Sequence, residues 1–265
     1  MQRLLPFPPR RDVSQLRISF LGRLPTPRAK RHMSNLKSPR PKDPPSGHTL
    51  RLMPLGGSVT RGVGSSHGAG YRKSLLRMLE QRGVNARMVG SRRDGSMSNG
   101  EHEGWRGFRI DEIERKARRS VEGLSPDIVM VNAGSNDCLQ AFGVTEVGER
   151  MSQLLEFLWG ARPQSTVLLS TLIACADKEV DSMVQCVNAQ FRALAEKKAT
   201  EHKRIVLVDM YSPEGPDVRG LVDGIHPNDD GYDKMAMLWV RGIQEAVDRE
   251  FINLSTYKFE GESPR

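Results

Sequence analysis

The sequence predicts an α/β fold in which helices cover a parallel sheet, and three observations carry that prediction. From Thr49 onward, short apolar runs alternate with stretches of helical period. The run DIVMVNAG, residues 127–134, is apolar without alternation through its centre, as a strand covered on both faces must be. No repeat with a period of about 20–50 residues is present, which sets aside solenoids and propellers.

Five strands are expected in order, at residues 50–55, 86–89, 127–133, 166–172 and 205–209. The segments between them are amphipathic. Val147, Met151, Leu154, Leu155 and Leu158 fall on one helical face, Val184, Val187, Phe191 and Leu194 on a second, and Met235, Trp239, Ile243 and Val247 on a third. These are core stripes that hold helices against a sheet.

Composition narrows the function classes. The chain has 265 residues, 37% hydrophobic and 27% charged, enough for one large folded unit. Its longest uncharged apolar run, residues 165–176, is 12 residues long against the roughly 20 of a membrane-spanning helix. The net charge of +8 is uneven: residues 1–50 hold 11 basic and 2 acidic side chains, the remainder 29 and 30. A nucleic-acid surface belongs on the folded module, which is nearly neutral here, so no nucleic-acid partner is expected. Nine of the 16 prolines also lie in residues 1–50, and residues 1–48 read as a basic, Pro-rich disordered tail ahead of a folded domain at 49–265. Within that tail ISFLG, residues 18–22, is too short for the apolar core of a secretory signal. Cys138, Cys175 and Cys186 form no C-x-x-C pair, which excludes a zinc site or a disulfide-rich scaffold. A Cys138–Cys186 bridge and three reduced thiols both remain open.

In an open parallel sheet the ligand crevice lies beyond the carboxyl ends of the strands. The first strand is followed by GGSVTRGVGSS, residues 56–66. Gly57 and Gly62 have phosphate-loop spacing without the following Lys-Ser/Thr, Gly62 and Gly64 lack the third glycine of a dinucleotide fingerprint because position 67 is His, and Thr60 breaks a G-x-S-x-G elbow. What survives is Ser58, presented on a glycine turn. After the third strand come Gly134, Ser135 and Asn136, whose side-chain amide can donate to a developing oxyanion. Before the last helix Asp223 precedes His226 by three residues, close enough to reach Nδ1 and leave Nε2 free as a base. Taken singly, each has a plainer reading as turn, cap or surface residue. Together, on one edge of one sheet, a nucleophile, an oxyanion donor and an oriented base describe acyl transfer.

Four blocks in this order resemble the SGNH-hydrolase (GDSL-like esterase) superfamily over roughly residues 50–247: MPLGGSVTRGVGS at 53–65 with Gly70-Tyr71-Arg72 following, HEGWRGFRI at 102–110, GSND at 134–137, and DGIHPNDDGYDKMA at 223–236. The wording of the first, second and last is similar to carbohydrate esterase family three, the acetyl-xylan-esterase-like branch. The resemblance implies a three-layer α/β/α sandwich with a flavodoxin-like sheet of about five strands. It implies Ser58 as nucleophile, His226 as general base, Asp223 orienting it, and an oxyanion hole made of the Ser58 and Gly107 N–H groups with the Asn136 side chain. No metal or organic cofactor is implied, and the substrate would be a small acyl ester of a carbohydrate. A lipase or lysophospholipase-type esterase and a catalytically silent carbohydrate-binding or scaffold protein are the alternatives. Two departures stand out: Gly57 replaces the usual Asp beside the nucleophile, removing a carboxylate that would brace the turn, and Ser135 replaces a frequent Thr.

Overall fold

The structure, a computed structural model, describes residues 48–257. The expected Pro-rich tail lies, except for His48, outside the described residues. Seven strands form one sheet: β1 (Leu50–Gly56), β2 (Ala86–Met88), β3 (Arg92–Arg93), β4 (Glu101–Gly104), β5 (Ile128–Asn132), β6 (Thr166–Ser170) and β7 (Ile205–Val208). All pairings are parallel except β3 with β4. Leu52 pairs with Ile128 of β5 on one edge of β1 and Met88 of β2 on the other. β2 and β4 therefore share that second edge, β2 along the start of β1 and β4 along its end, where Leu55 pairs with Glu103 and Gly56 with Gly104. The five strands expected from the sequence run β2-β1-β5-β6-β7, the doubly wound order of flavodoxin-like sheets.

The five expected strands are all present: β1 runs one residue further than expected, and the other four are trimmed by one or two residues at one end or both. β3 and β4 are additions to the expected set. Neither RR nor EHEG shows apolar alternation. β4 is a strand because its neighbour β1 supplies the partners and because the buried His102 and Glu103 both find hydrogen bonds.

The sheet is covered on both faces. Helices α2 (Tyr71–Glu80) and α8 (Asp229–Asp248) lie on one, and α3 (Ile110–Ala117), α6 (Val147–Ala161) and α7 (Lys178–Thr200) on the other. β5 shows why its sequence does not alternate: Ile128 and Met130 join the α2/α8 core while Val129 and Val131 join the α3/α6/α7 core. Trp239, wholly buried on α8, packs against Tyr71 of α2 with ring centroids 5.7 Å apart. Asp177 caps α7 and Asn228 caps α8, each accepting from backbone N–H groups of its first turn. Three single-turn α-helices, α1 (Ser58–Arg61), α4 (Val121–Leu124) and α5 (Ser135–Leu139), and three short 3-10 helices complete the described fold; α1 and α5 begin just past the ends of β1 and β5. Among the described residues, no helix is long and apolar enough to cross a membrane.

Candidate active site

Ser58 opens α1, two residues beyond the end of β1. The turn is possible only because Gly56 has no side chain: a Cβ there would lie 2.0 Å from the carbonyl oxygen of Asn132 on the adjacent β5. The Gly57 N–H donates to that same carbonyl, at 3.3 Å. The turn ends at Gly62, whose φ of +99° lets its N–H and that of Val63 return to the Ser58 carbonyl. From α8, the Tyr232 hydroxyl donates to the Val63 carbonyl at 2.6 Å, fixing the exit of the turn to the helix that follows His226.

Asp223 and His226 stand in the loop between β7 and α8. Asp223 Oδ1 accepts the N–H groups of Ile225 and His226, at 3.1 and 2.9 Å, so the carboxylate shapes its own loop. Its Oδ2 receives His226 Nδ1 at 2.7 Å, and His226 Nε2 lies 2.8 Å from Ser58 Oγ. His226 is 7% exposed while the Asp223 side chain is half exposed. Partial burial pushes the Asp223 carboxyl up, but hydrogen bonds from the His226 ring and from two backbone amides outweigh it and hold the group below its usual range. A charged acceptor at Nδ1 fixes the tautomer with its proton there, leaving the Nε2 lone pair toward Ser58. Gly224, at φ +82°, turns the loop, and its carbonyl accepts the Ala176 N–H at 2.9 Å from the segment after β6.

The remaining expected residues gather from two other strand ends. Asn136, buried on α5, donates from Nδ2 to the Phe108 carbonyl at 3.0 Å, and a Cβ built on Gly57 would lie 3.3 Å from that nitrogen. The amide therefore sits against the Ser58 turn. Gly107, at φ +81° in the exposed loop after β4, is held through its carbonyl by the Gln140 side chain at 3.1 Å. Among the described residues, neither the Ser58 nor the Gly107 N–H donates to a protein acceptor. Such an arrangement can deprotonate a hydroxyl at Ser58 and offer hydrogen-bond donors beside it.

Residues that the sequence reading left without a role lie beneath this site. Arg72, fully buried on α2, donates to the carbonyls of Thr60, Arg61 and Asp94. The Asp94 carboxylate receives Arg61 Nε at 2.8 Å and His102 Nε2 at 3.1 Å, and His102 Nδ1 accepts the Gly104 N–H at 2.9 Å. Burial outweighs the nearby Asp94 and keeps His102 neutral, its pKa pushed down to about 4. A signal for Arg72 was present in the sequence: it occupies the i position of a helical stripe completed by Leu75, Leu76 and Leu79. The three cysteines are free thiols, Cys138 and Cys175 buried and Cys186 exposed, and burial pushes Cys138 up to about 12.

A doubly wound sheet with a serine, a histidine and a carboxylate hydrogen-bonded in series beyond its strand ends is the build of a hydrolase, and comparison with known proteins narrows the class to enzymes acting on ester bonds. The chain belongs to the GDSL-like lipase/acylhydrolase family, whose model matches residues 55–234. It is 28% identical to a multidomain esterase of Ruminococcus flavefaciens over 74% of this chain, and spans 28% of that protein's length. Among solved structures it is similar to a family 3 carbohydrate esterase of Clostridium thermocellum, with 25% identity and a TM-score of 0.69 over 77% of this chain and all of the other. A carbohydrate esterase family 3 structure from Talaromyces cellulolyticus shares the fold, with a TM-score of 0.66 at 22% identity over 76% of this chain and 99% of the other.

Proposed function

We propose that this chain removes small acyl groups, acetyl foremost, from carbohydrate esters, with Ser58 as nucleophile, His226 as general base and then acid, and Asp223 orienting the imidazole. The observation that carries this reading is the unbroken hydrogen-bonded series from Asp223 Oδ2 through both nitrogens of His226 to Ser58 Oγ. As Oγ bonds to the ester carbonyl carbon, its proton passes to His226 Nε2, and the imidazolium is stabilised by the Asp223 carboxylate. The negative charge that develops on the carbonyl oxygen is met by the N–H groups of Ser58 and Gly107 and by the free hydrogen of Asn136 Nδ2. Collapse breaks the bond to the alcohol oxygen, which takes the proton from Nε2. Water then attacks the acyl-serine with His226 again as base, releasing the acid and restoring Ser58.

The carbohydrate assignment draws on the likeness to the family 3 carbohydrate esterase of Clostridium thermocellum, and the acetyl assignment on the resemblance of the sequence blocks to the acetyl-xylan-esterase-like branch. They are tested by measuring acetate release from acetylated xylo-oligosaccharides beside the hydrolysis of p-nitrophenyl esters of increasing acyl length. The expected result is turnover of the acetylated sugar and a kcat/KM that falls steeply beyond short acyl chains. Faster hydrolysis of long-chain esters with no acetate from the sugar would overturn the substrate class in favour of a lipid esterase.

A further inference from the structure

One wholly buried charge in the described part of the molecule has no place in the acyl-transfer scheme. Arg72 is 0% exposed, and its acceptors are three backbone carbonyls rather than a carboxylate. A guanidinium is costly to take out of water, and buried charges persist where specific partners need them. Two of its partners, the Thr60 and Arg61 carbonyls, close the single turn of α1 that Ser58 opens. A four-residue helix leaves its last carbonyls without intrahelical donors. Arg72 supplies those donors from below, and its other amino group reaches the Asp94 carbonyl at 3.2 Å.

The Asp94 side chain completes a second hold. It takes Arg61 Nε on one side and His102 Nε2 on the other, and His102 in turn fixes Gly104, the residue paired with Gly56 at the base of the Ser58 turn. Gly57, without a side chain, contributes no brace of its own. The turn is thus anchored at its far end through Arg72 and at its strand edge through Asp94 and His102.

We infer that Arg72 and Asp94 form a clamp that positions Ser58, holding its Oγ in line with His226 Nε2. They are positioning residues: neither touches the reacting atoms. The inference rests on the reading of Ser58 as nucleophile. Arginine is required at 72 because a lysine ammonium is a point donor, whereas the guanidinium fork spans carbonyls on two segments at once.

The test uses the full chain as wild type, Arg72→Lys, Asp94→Asn and Ser58→Ala. It measures kcat and KM on p-nitrophenyl acetate, the pH profile of kcat, the rate of Ser58 labelling by a fluorophosphonate, and folding by circular dichroism. Arg72→Lys is expected to lower kcat by about 10–100-fold, as a misplacement of roughly 1 Å does, with KM within about twofold. Labelling is expected to slow in the same proportion, with the shape of the pH profile unmoved because the His226–Asp223 pair is untouched. Asp94→Asn, at a partly exposed position whose backbone still receives Arg72, is expected to shift kcat and labelling the same way by a smaller factor. Folded variants with wild-type kcat and labelling would overturn the clamp, as would a loss carried by KM alone. If Arg72→Lys does not fold, Asp94→Asn decides. An active Ser58→Ala would sink the nucleophile reading itself; an inactive Ser58→Ala beside wild-type-like clamp variants would sink only the clamp.

Discussion

Asn136 Nδ2 carries two hydrogens and spends one on the Phe108 carbonyl, so the amide that ties down the loop after β4 has a second hydrogen for the proposed oxyanion contact. Asn136→Ala is expected to lower kcat by about 10²–10³, and steady-state kinetics on an acetyl ester with KM little changed would show the loss to be one of transition-state stabilisation. At Asp223 the expected effect is larger. Asparagine there presents a neutral amide to Nδ1, which can stabilise the wrong tautomer, and kcat should fall by about 10⁴ while the unfolding midpoint barely moves, since the side chain is half exposed. A folded Asp223→Asn with near-normal kcat would remove that carboxylate from the proposed mechanism. Ser58 and Asn136 were legible in the sequence because each sits in a short motif just past a strand, and Asp223 and His226 because a spacing of three keeps them within reach of each other whatever the rest of the fold does. Arg72 was not. Its role depends on carbonyls 11 and 12 residues away, and backbone carbonyls carry no sequence signal.

At the scale of elements, β4 is the segment whose behaviour should depend most visibly on pH. His102 is buried and neutral, with Nδ1 accepting from Gly104 and Nε2–H donating to Asp94. Its folded pKa of about 4 lies below the ordinary value of 6.5, so between these limits the unfolded chain binds the extra proton. Stability therefore falls as pH drops from 6.5 toward 4, by roughly 3 kcal/mol from this group when the shift is complete. Urea unfolding at several pH values should show that slope in the wild type and lose this part of it in His102→Gln. An unchanged slope would mean that His102 titrates normally. The apolar runs gave away five of the strands, yet EHEG could not be read as one. Its extended form comes from the edge that β1 offers it and from hydrogen bonds to the 91 and 94 positions, which only the folded chain brings near.

At the scale of the whole molecule, two apolar cores on opposite faces of one sheet hold the ends of β4, β1 and β5 in register, and the candidate site exists only where those ends meet the loop before α8. Trp239 anchors the α2/α8 side, 0% exposed and against Tyr71. Trp239→Ala is expected to cost about 3–5 kcal/mol, read as a lower urea midpoint, while residual folded enzyme at low temperature keeps its KM because no site residue is touched. The fold class was legible at this scale because alternation of strand and helix admits few topologies. Convergence was only implied: residues 58, 107, 136 and 226 are neighbours by virtue of the strand order β4-β1-β5 and the return of the chain before α8, not by any spacing along the sequence.

The central claim is that Ser58, activated by His226, carries the acyl group. The most direct measurement is the initial rate of p-nitrophenyl acetate hydrolysis by the wild-type chain and by Ser58→Ala prepared identically. The wild-type chain is expected to hydrolyse the ester at a rate that collapses to near the uncatalysed background in the variant, with circular dichroism unchanged. Equal rates in the two proteins, or a folded wild type that hydrolyses neither this ester nor any other, would contradict it.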